Sequence, residues 1–265
     1  VLDRQTGRSE LVSRAGSRNV PRSAGAAKPR ISGDGSMVFF QSGGALFAFQ
    51  RETGDVTVVT RSSIPGVPAT GELKAVSDDG RYAVFDSGDP ALEADVASNG
   101  LRQVFLWSRD TGTVTMISRS ALGSGAGNAA SEGGSISADG STVAFLSWAT
   151  DLTGPAGTPS APSIVYSQVY LYDRVSGAVQ LVSRSSGGLP ARGFSGLESR
   201  HRILSDDGRF FVFNCSAPDV GGIEPPEDWP LVIFNLYLFD RETQSLSLVS
   251  HEPGRPMAAA ISGTE

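Results

Sequence analysis

Short runs in which apolar and polar residues alternate, each interrupted by a polar turn, recur from one end of the chain to the other. One unit reads "SGDGSMVFF" (Ser32 to Phe40), "SDDGRYAVF" (Ser77 to Phe85), "SADGSTVAF" (Ser137 to Phe145) and "SDDGRFFVF" (Ser205 to Phe213). A second reads "VLDRQTGRSELVSR", "LFAFQRETGDVTVVTR", "VFLWSRDTGTVTMISR", "VYLYDRVSGAVQLVSR" and "LYLFDRETQSLSLVSH", with its turn arginine at Arg4, Arg51, Arg109, Arg174 and Arg241. Period-two alternation rich in Val, Ile, Thr and aromatics predicts strands. The turns between them carry Asp, which bonds its own backbone, and in all but one copy Gly, which supplies a positive φ. Each unit is therefore predicted to be a β-hairpin, and the two kinds alternate along the chain.

Two hairpins per period make a four-stranded antiparallel unit, with strands a to d. The a-b hairpins fall near 30–42, 73–87, 134–147 and 202–215, and the c-d hairpins near 1–14, 46–61, 104–119, 169–184 and 236–251. Repeated units of this kind pack radially, which protects their sheet edges. The expectation is an all-β propeller of four-stranded antiparallel blades in a single domain, 1–265, with about five blades represented. The chain opens inside a strand c and stops at "AAAISGTE", where a further strand a would begin, so it reads as a fragment of a larger propeller.

Composition narrows the picture in a few places. Gly (32) and Pro (15) are frequent in the 265 residues, and no stretch sustains a helical period. A formal charge of -6 removes the cationic footprint that nucleic acid requires. Arg14, Arg18, Arg22 and Arg30 lie among Ser, Gly and Ala and read as a solvated loop. Cys215 is the only cysteine, which excludes an internal disulfide and a Cys-based zinc site, and its strand context makes it a small buried hydrophobe. No apolar run reaches the ~20 residues of a membrane-spanning helix.

The pairing of "SDDGRYAVF" with "VFLWSRDTGTVTMISR" resembles the TolB-like, WD40-like bacterial propeller repeats, and the likeness extends over nearly the whole chain. It is also similar to bacterial surface and secreted proteins built from "YDRxTGxxxLVSRS" blades. The resemblance implies a binding scaffold of the bacterial envelope, periplasmic or extracellular, as TolB-like relatives are, while the recurring residues of that family are turn and core residues that specify fold and not function.

An up-and-down meander sends every a-b and c-d turn to one end of the blades and every b-c and d-a connection to the other. Loops on a rigid scaffold are where binding residues usually reside, so the long-loop end is the candidate surface. Its candidates are Asp95, Asn99, Trp148, Asp151, His201, Glu227, Asp228 and Trp229. The last three stand beside prolines in "SAPDVGGIEPPEDWPLVIFN", an acidic and aromatic stretch suited to a cationic group or a sugar, and equally to an insertion whose Trp packs on a blade edge. No cofactor is called for. Asp89, Glu93, Asp95 and Asn99 do offer oxygens of the kind calcium takes, against the plainer reading of a solvated loop.

Enzyme signatures are thin: the sequence has no G-x-S-x-G elbow and no H-x-x-x-H pair, and His251 reads as a drifted repeat arginine. The favoured reading is a non-catalytic scaffold for a protein or glycan partner. The alternative is a glycoside hydrolase or polysaccharide lyase with carboxylates converging in the central funnel. The repeated Asp34, Asp79, Asp139 and Asp207 are assigned to turns, since repetition implies the same duty in every blade.

Overall fold

In the computed structural model, the residues described are 1–13, 24–123, 125–153, 166–197, 203–217, 219–221 and 234–250. They form four antiparallel sheets, each of four strands in chain order. The first holds β1 (Ala27–Ile31), β2 (Met37–Ser42), β3 (Ala45–Gln50) and β4 (Val56–Val58). The second holds β5 (Glu72–Val76), β6 (Tyr82–Ser87), β7 (Gln103–Ser108) and β8 (Val114–Met116), and the third β9 (Ser131–Ile136), β10 (Thr142–Ser147), β11 (Gln168–Asp173) and β12 (Val179–Leu181). The fourth holds β13 (Ser195–Gly196), β14 (Phe210–Cys215), β15 (Asn235–Asp240) and β16 (Ser245–Leu248). Ahead of them, an amino-terminal hairpin is closed by a bridge between Leu2 and Ser9.

The "SxDG" stretches are the a-b turns, and one local network builds all four. In the second sheet, Ser77 Oγ donates to Asp79 Oδ1 at 2.6 Å and accepts from the Tyr82 N–H at 3.0 Å, while Asp79 Oδ1 also accepts from the Arg81 N–H at 2.9 Å. The same bonds recur at Ser32/Asp34, Ser137/Asp139 and Ser205/Asp207. Adjacent turns are joined by backbone: Asp34 N–H to Asp78 O, Asp78 N–H to Ala138 O and Ala138 N–H to Asp206 O, each 2.9 Å. Gly140 is required twice over, by its φ of 71° and because a Cβ there would sit 2.2 Å from the Tyr82 ring.

The strand alternation sorts side chains between neighbouring sheets. In β6, Ala83 and Phe85 face the first sheet, in a core with Phe39 and Trp107, whereas Val84 faces the third with Val104 and Phe145. A third core, around Phe211, Phe213 and Tyr237, joins the last two sheets. On the far side of the first sheet, Val1 and Val12 of the amino-terminal hairpin pack on Phe40 and Phe47. Every sheet repeats one cross-strand stacked aromatic pair: Phe40–Phe47, Phe85–Phe105, Phe145–Tyr170 and Phe213–Tyr237, at 5.5 to 5.6 Å. Each such pair contributes roughly 0.5–1.5 kcal/mol beyond its buried area.

The fourth sheet differs from expectation on its first strand. Pairing begins at Ser195–Gly196, opposite Cys215 and Asn214, and resumes at a Leu204–Phe211 bridge. The sequence reading had assigned 195–196 to the preceding connection, because a two-residue strand carries no visible alternation.

Candidate functional site

The long-loop end lies where b strands finish and a strands start. The first sheet alone makes its b-c link with two residues, Gly43 and Gly44, both at positive φ (60° and 83°), as the tightest hairpins require. That short link leaves a notch of about 210 Å³ beside the second sheet, lined among others by Gly44, Thr70, Glu72, Asp86, Ser87 and Arg102.

Charge is concentrated beneath it. Strand β5 carries a bulge, since Leu73 pairs with Phe85 and Ala75 with Val84, and Lys74 is the extra residue between them. Bulges re-aim side chains. Lys74, 10% exposed, sets Nζ 3.2 Å from Asp86, 2.8 Å from Glu132 and 3.5 Å from Glu72. Asp86, 2% exposed, accepts a 2.7 Å hydrogen bond from the Gly133 N–H of the third sheet. Burial pushes the Asp86 carboxyl up to about 7, against the downward pull of the Lys74 charge and the Gly133 N–H. Burial also works against the charge on Lys74, but Asp86 and Glu132 outweigh it and the ammonium is held above its ordinary value. The Glu72 carboxyl is held low, chiefly by its 2.8 Å bond from Lys28. Arg102, half exposed at the rim, lies 3.8 Å from Glu132.

Four of the residues singled out from the sequence are described, and they make loop contacts. Asp95 accepts from the Met116 N–H at 2.7 Å and pairs with Arg119, which ties the b-c loop to strand β8. Asn99 donates to Gly127 O at 2.9 Å, and Asp151 accepts from the Asn128 N–H at 3.0 Å, so these two meet on one d-a connection from different sheets. Trp148 is half-buried, and its backbone N–H donates to Ala130 O at 3.0 Å. His201, Glu227, Asp228 and Trp229 lie outside the described residues. Of the oxygens suggested for calcium, Asp89 accepts from the Thr70 and Ala91 N–H groups and Glu93 faces Arg61 at 3.8 Å. Among the described residues, no three His, Cys, Asp or Glu gather around a common point where a metal would sit.

The sequence reading missed Glu72, Lys74, Asp86, Arg102 and Glu132. Asp86 is the one with a visible signal, a charged residue at the end of an apolar strand in "YAVFD". It also missed a buried latch at the same end. Gln103 Oε1 accepts from Ser118 Oγ at 2.6 Å, Ser118 Oγ accepts from the Val104 N–H, and Gln103 Nε2 donates to Gly127 O. Gln168 and Ser183 repeat the arrangement in the third sheet. The recurring Ser of "SR" is the trace of this latch.

No protein-family model matches the chain, and no curated protein matches it by sequence. Solved structures do. TolB from Acinetobacter baumannii is 19% identical over 84% of this chain, with a TM-score of 0.42, and the tricorn protease is 11% identical over 94%, with a TM-score of 0.50. Dipeptidyl peptidase 4 of Porphyromonas gingivalis is 16% identical over 87%, with a TM-score of 0.46. The chain spans 43% of that TolB chain, 24% of the tricorn protease chain and 33% of the peptidase chain. Identities at this level speak to architecture alone. Four successive four-stranded antiparallel sheets sharing cores face to face make the chain a β-propeller.

Proposed function

We propose that the chain is a non-catalytic binding scaffold that receives a protein or glycan partner at its long-loop end, in the bacterial envelope. The observation that carries this reading is the notch beside Gly44. It is open at the end where the connections vary, and it is lined by carboxylates, the hydroxyl residues Thr70 and Ser87 and the Arg102 guanidinium, on a base stiffened by the Lys74 ion pairs. Such a rim offers hydrogen bonds of both polarities to sugar hydroxyls or to a peptide.

The enzyme alternative rests on Asp86 and Glu132 flanking one ammonium. Asp86 is almost fully enclosed and spends its oxygens on Lys74 and the Gly133 N–H, which favours a structural duty. The test is titration of the chain against envelope oligosaccharides and against envelope proteins captured by crosslinking. A saturable partner is expected, weakened about tenfold by Arg102→Glu and unaffected by Arg81→Glu on the opposite end. A partner lost with Arg81→Glu and indifferent to Arg102→Glu overturns the reading. Hydrolysis or elimination of a glycan, lost in Asp86→Asn, establishes the enzyme instead.

A further inference from the structure

Asn99 is the one asparagine of five that precedes a glycine. In that order the side-chain amide carbon and the next backbone nitrogen can close a cyclic imide, and no side chain on Gly100 shields the nitrogen. Both residues are exposed on the b-c loop of the second sheet. Gly100, at a φ of 80°, has open space where a Cβ would stand.

The loop sets hydrogen bonds around each atom that such a ring closure uses. The nucleophile is the Gly100 nitrogen, whose N–H donates to Ser98 Oγ at 3.2 Å. The electrophile is Asn99 Cγ, whose Oδ1 accepts from the Leu101 N–H at 3.1 Å, with Gln103 Nε2 3.5 Å away. The leaving nitrogen, Nδ2, donates to Gly127 O at 2.9 Å. An acceptor beside the proton to be lost, and donors on the oxygen that gains charge, are general aids to acyl transfer. Asn128 and Asn235 are placed differently. Asn128 is followed by Ala129, and both ends of its amide are held by Thr150, while Asn235 is followed by Leu236 within strand β15.

We propose that Asn99–Gly100 is a self-modifying site, at which the folded loop promotes its own deamidation. The Gly100 nitrogen bonds to Asn99 Cγ while its proton is relayed through the Ser98 hydroxyl and solvent to Nδ2. The Cγ–Nδ2 bond breaks, and that nitrogen leaves as ammonia. Water then opens the imide at either carbonyl, which leaves aspartate or isoaspartate. The reacting groups are neighbours in one chain, so the closure is intramolecular and needs no partner. A carboxylate oxygen then replaces the donor that faced Gly127 O. Acceptor meets acceptor, and the pin between the loop and the d-a connection is lost. Gly100 and Leu101 pack on Gly88, where a Cβ would stand 3.4 Å from Gly100 O, and Gly88 and Arg102 both line the notch. Conversion of one side chain thereby loosens a wall of that notch.

Peptide mapping by mass spectrometry tests this on the intact protein held at mildly alkaline pH, beside a sample unfolded in guanidinium chloride. Folded Asn99 is expected to convert faster than unfolded Asn99, while Asn128 and Asn235 stay amides. Ser98→Ala is expected to slow conversion several-fold in the folded protein and to leave the unfolded rate unchanged. Conversion no faster in the folded protein, or no selective effect of Ser98→Ala on the folded state, overturns the proposal. Brief trypsin treatment reads the consequence. Cleavage after Arg102 is expected to accelerate in the converted fraction, since it requires local opening of the loop. Equal cleavage before and after conversion overturns the release of the loop.

Discussion

Gly133 gives its amide hydrogen to Asp86 Oδ1 across the boundary between the second and third sheets, at 2.7 Å. The approach is close because Gly133 has no side chain: a Cβ would fall 2.9 Å from Val84 Cγ1 and 3.2 Å from Lys74 Cγ. Gly133→Ala is expected to cost about 1–3 kcal/mol through overpacking. Urea unfolding monitored by Trp fluorescence measures it, and a cost under half a kcal/mol contradicts the packing account.

Asp86 gives the protein a pH dependence of definite sign. Burial raises its folded carboxyl to about 7, above the ~3.9 of an unfolded chain. The folded state therefore holds this proton more tightly. The group's contribution is complete below about pH 4 and is lost as pH rises through 7. Asp86→Asn is expected to flatten the decline of Tm between pH 4 and 8, and a parallel curve refutes the assignment.

The turn aspartates are expected to matter for stability and not for binding. Asp79→Ala removes the acceptor of both Ser77 Oγ and the Arg81 N–H. The expected loss is about 0.5–2 kcal/mol, that of a missing local cap. Partner binding lost at unchanged Tm would show that this end, and not the other, carries the site.

Ser118 serves both Gln103 and the Val104 N–H, and all three residues are fully buried. Ser118→Ala leaves a buried donor and acceptor unmet, at about 1–3 kcal/mol. Hydrogen exchange of the Val104 amide is expected to accelerate more than that of Leu171 in the third sheet. Equal acceleration means a global effect and no local latch.

Much of the fold was legible because repetition averages out the ambiguity of short strands. "SxDG" names Ser, Asp and Gly, each a member of a network that closes within six residues, and such local chemistry is written in sequence. The Phe of "YAVF" likewise announces its stacked pair, since both partners recur at fixed offsets. The charged cluster was not legible. Lys74 and Glu132 meet through a bulge in one sheet and the docking of the next, and neither event leaves a period in the chain. The long loops attracted attention by their acids and their tryptophan. Yet Asp95, Asn99 and Asp151 proved to be the pins that hold those loops down.

The backbone bonds that link the turns, from Asp34 to Asp78, Ala138 and Asp206, all run in one sense. An interior blade thus lends an acceptor to one neighbour and a donor to the other. Ripping out the second or third sheet therefore breaks two such rungs at once, and under pulling force the described sheets are expected to part along these rungs, one sheet at a time.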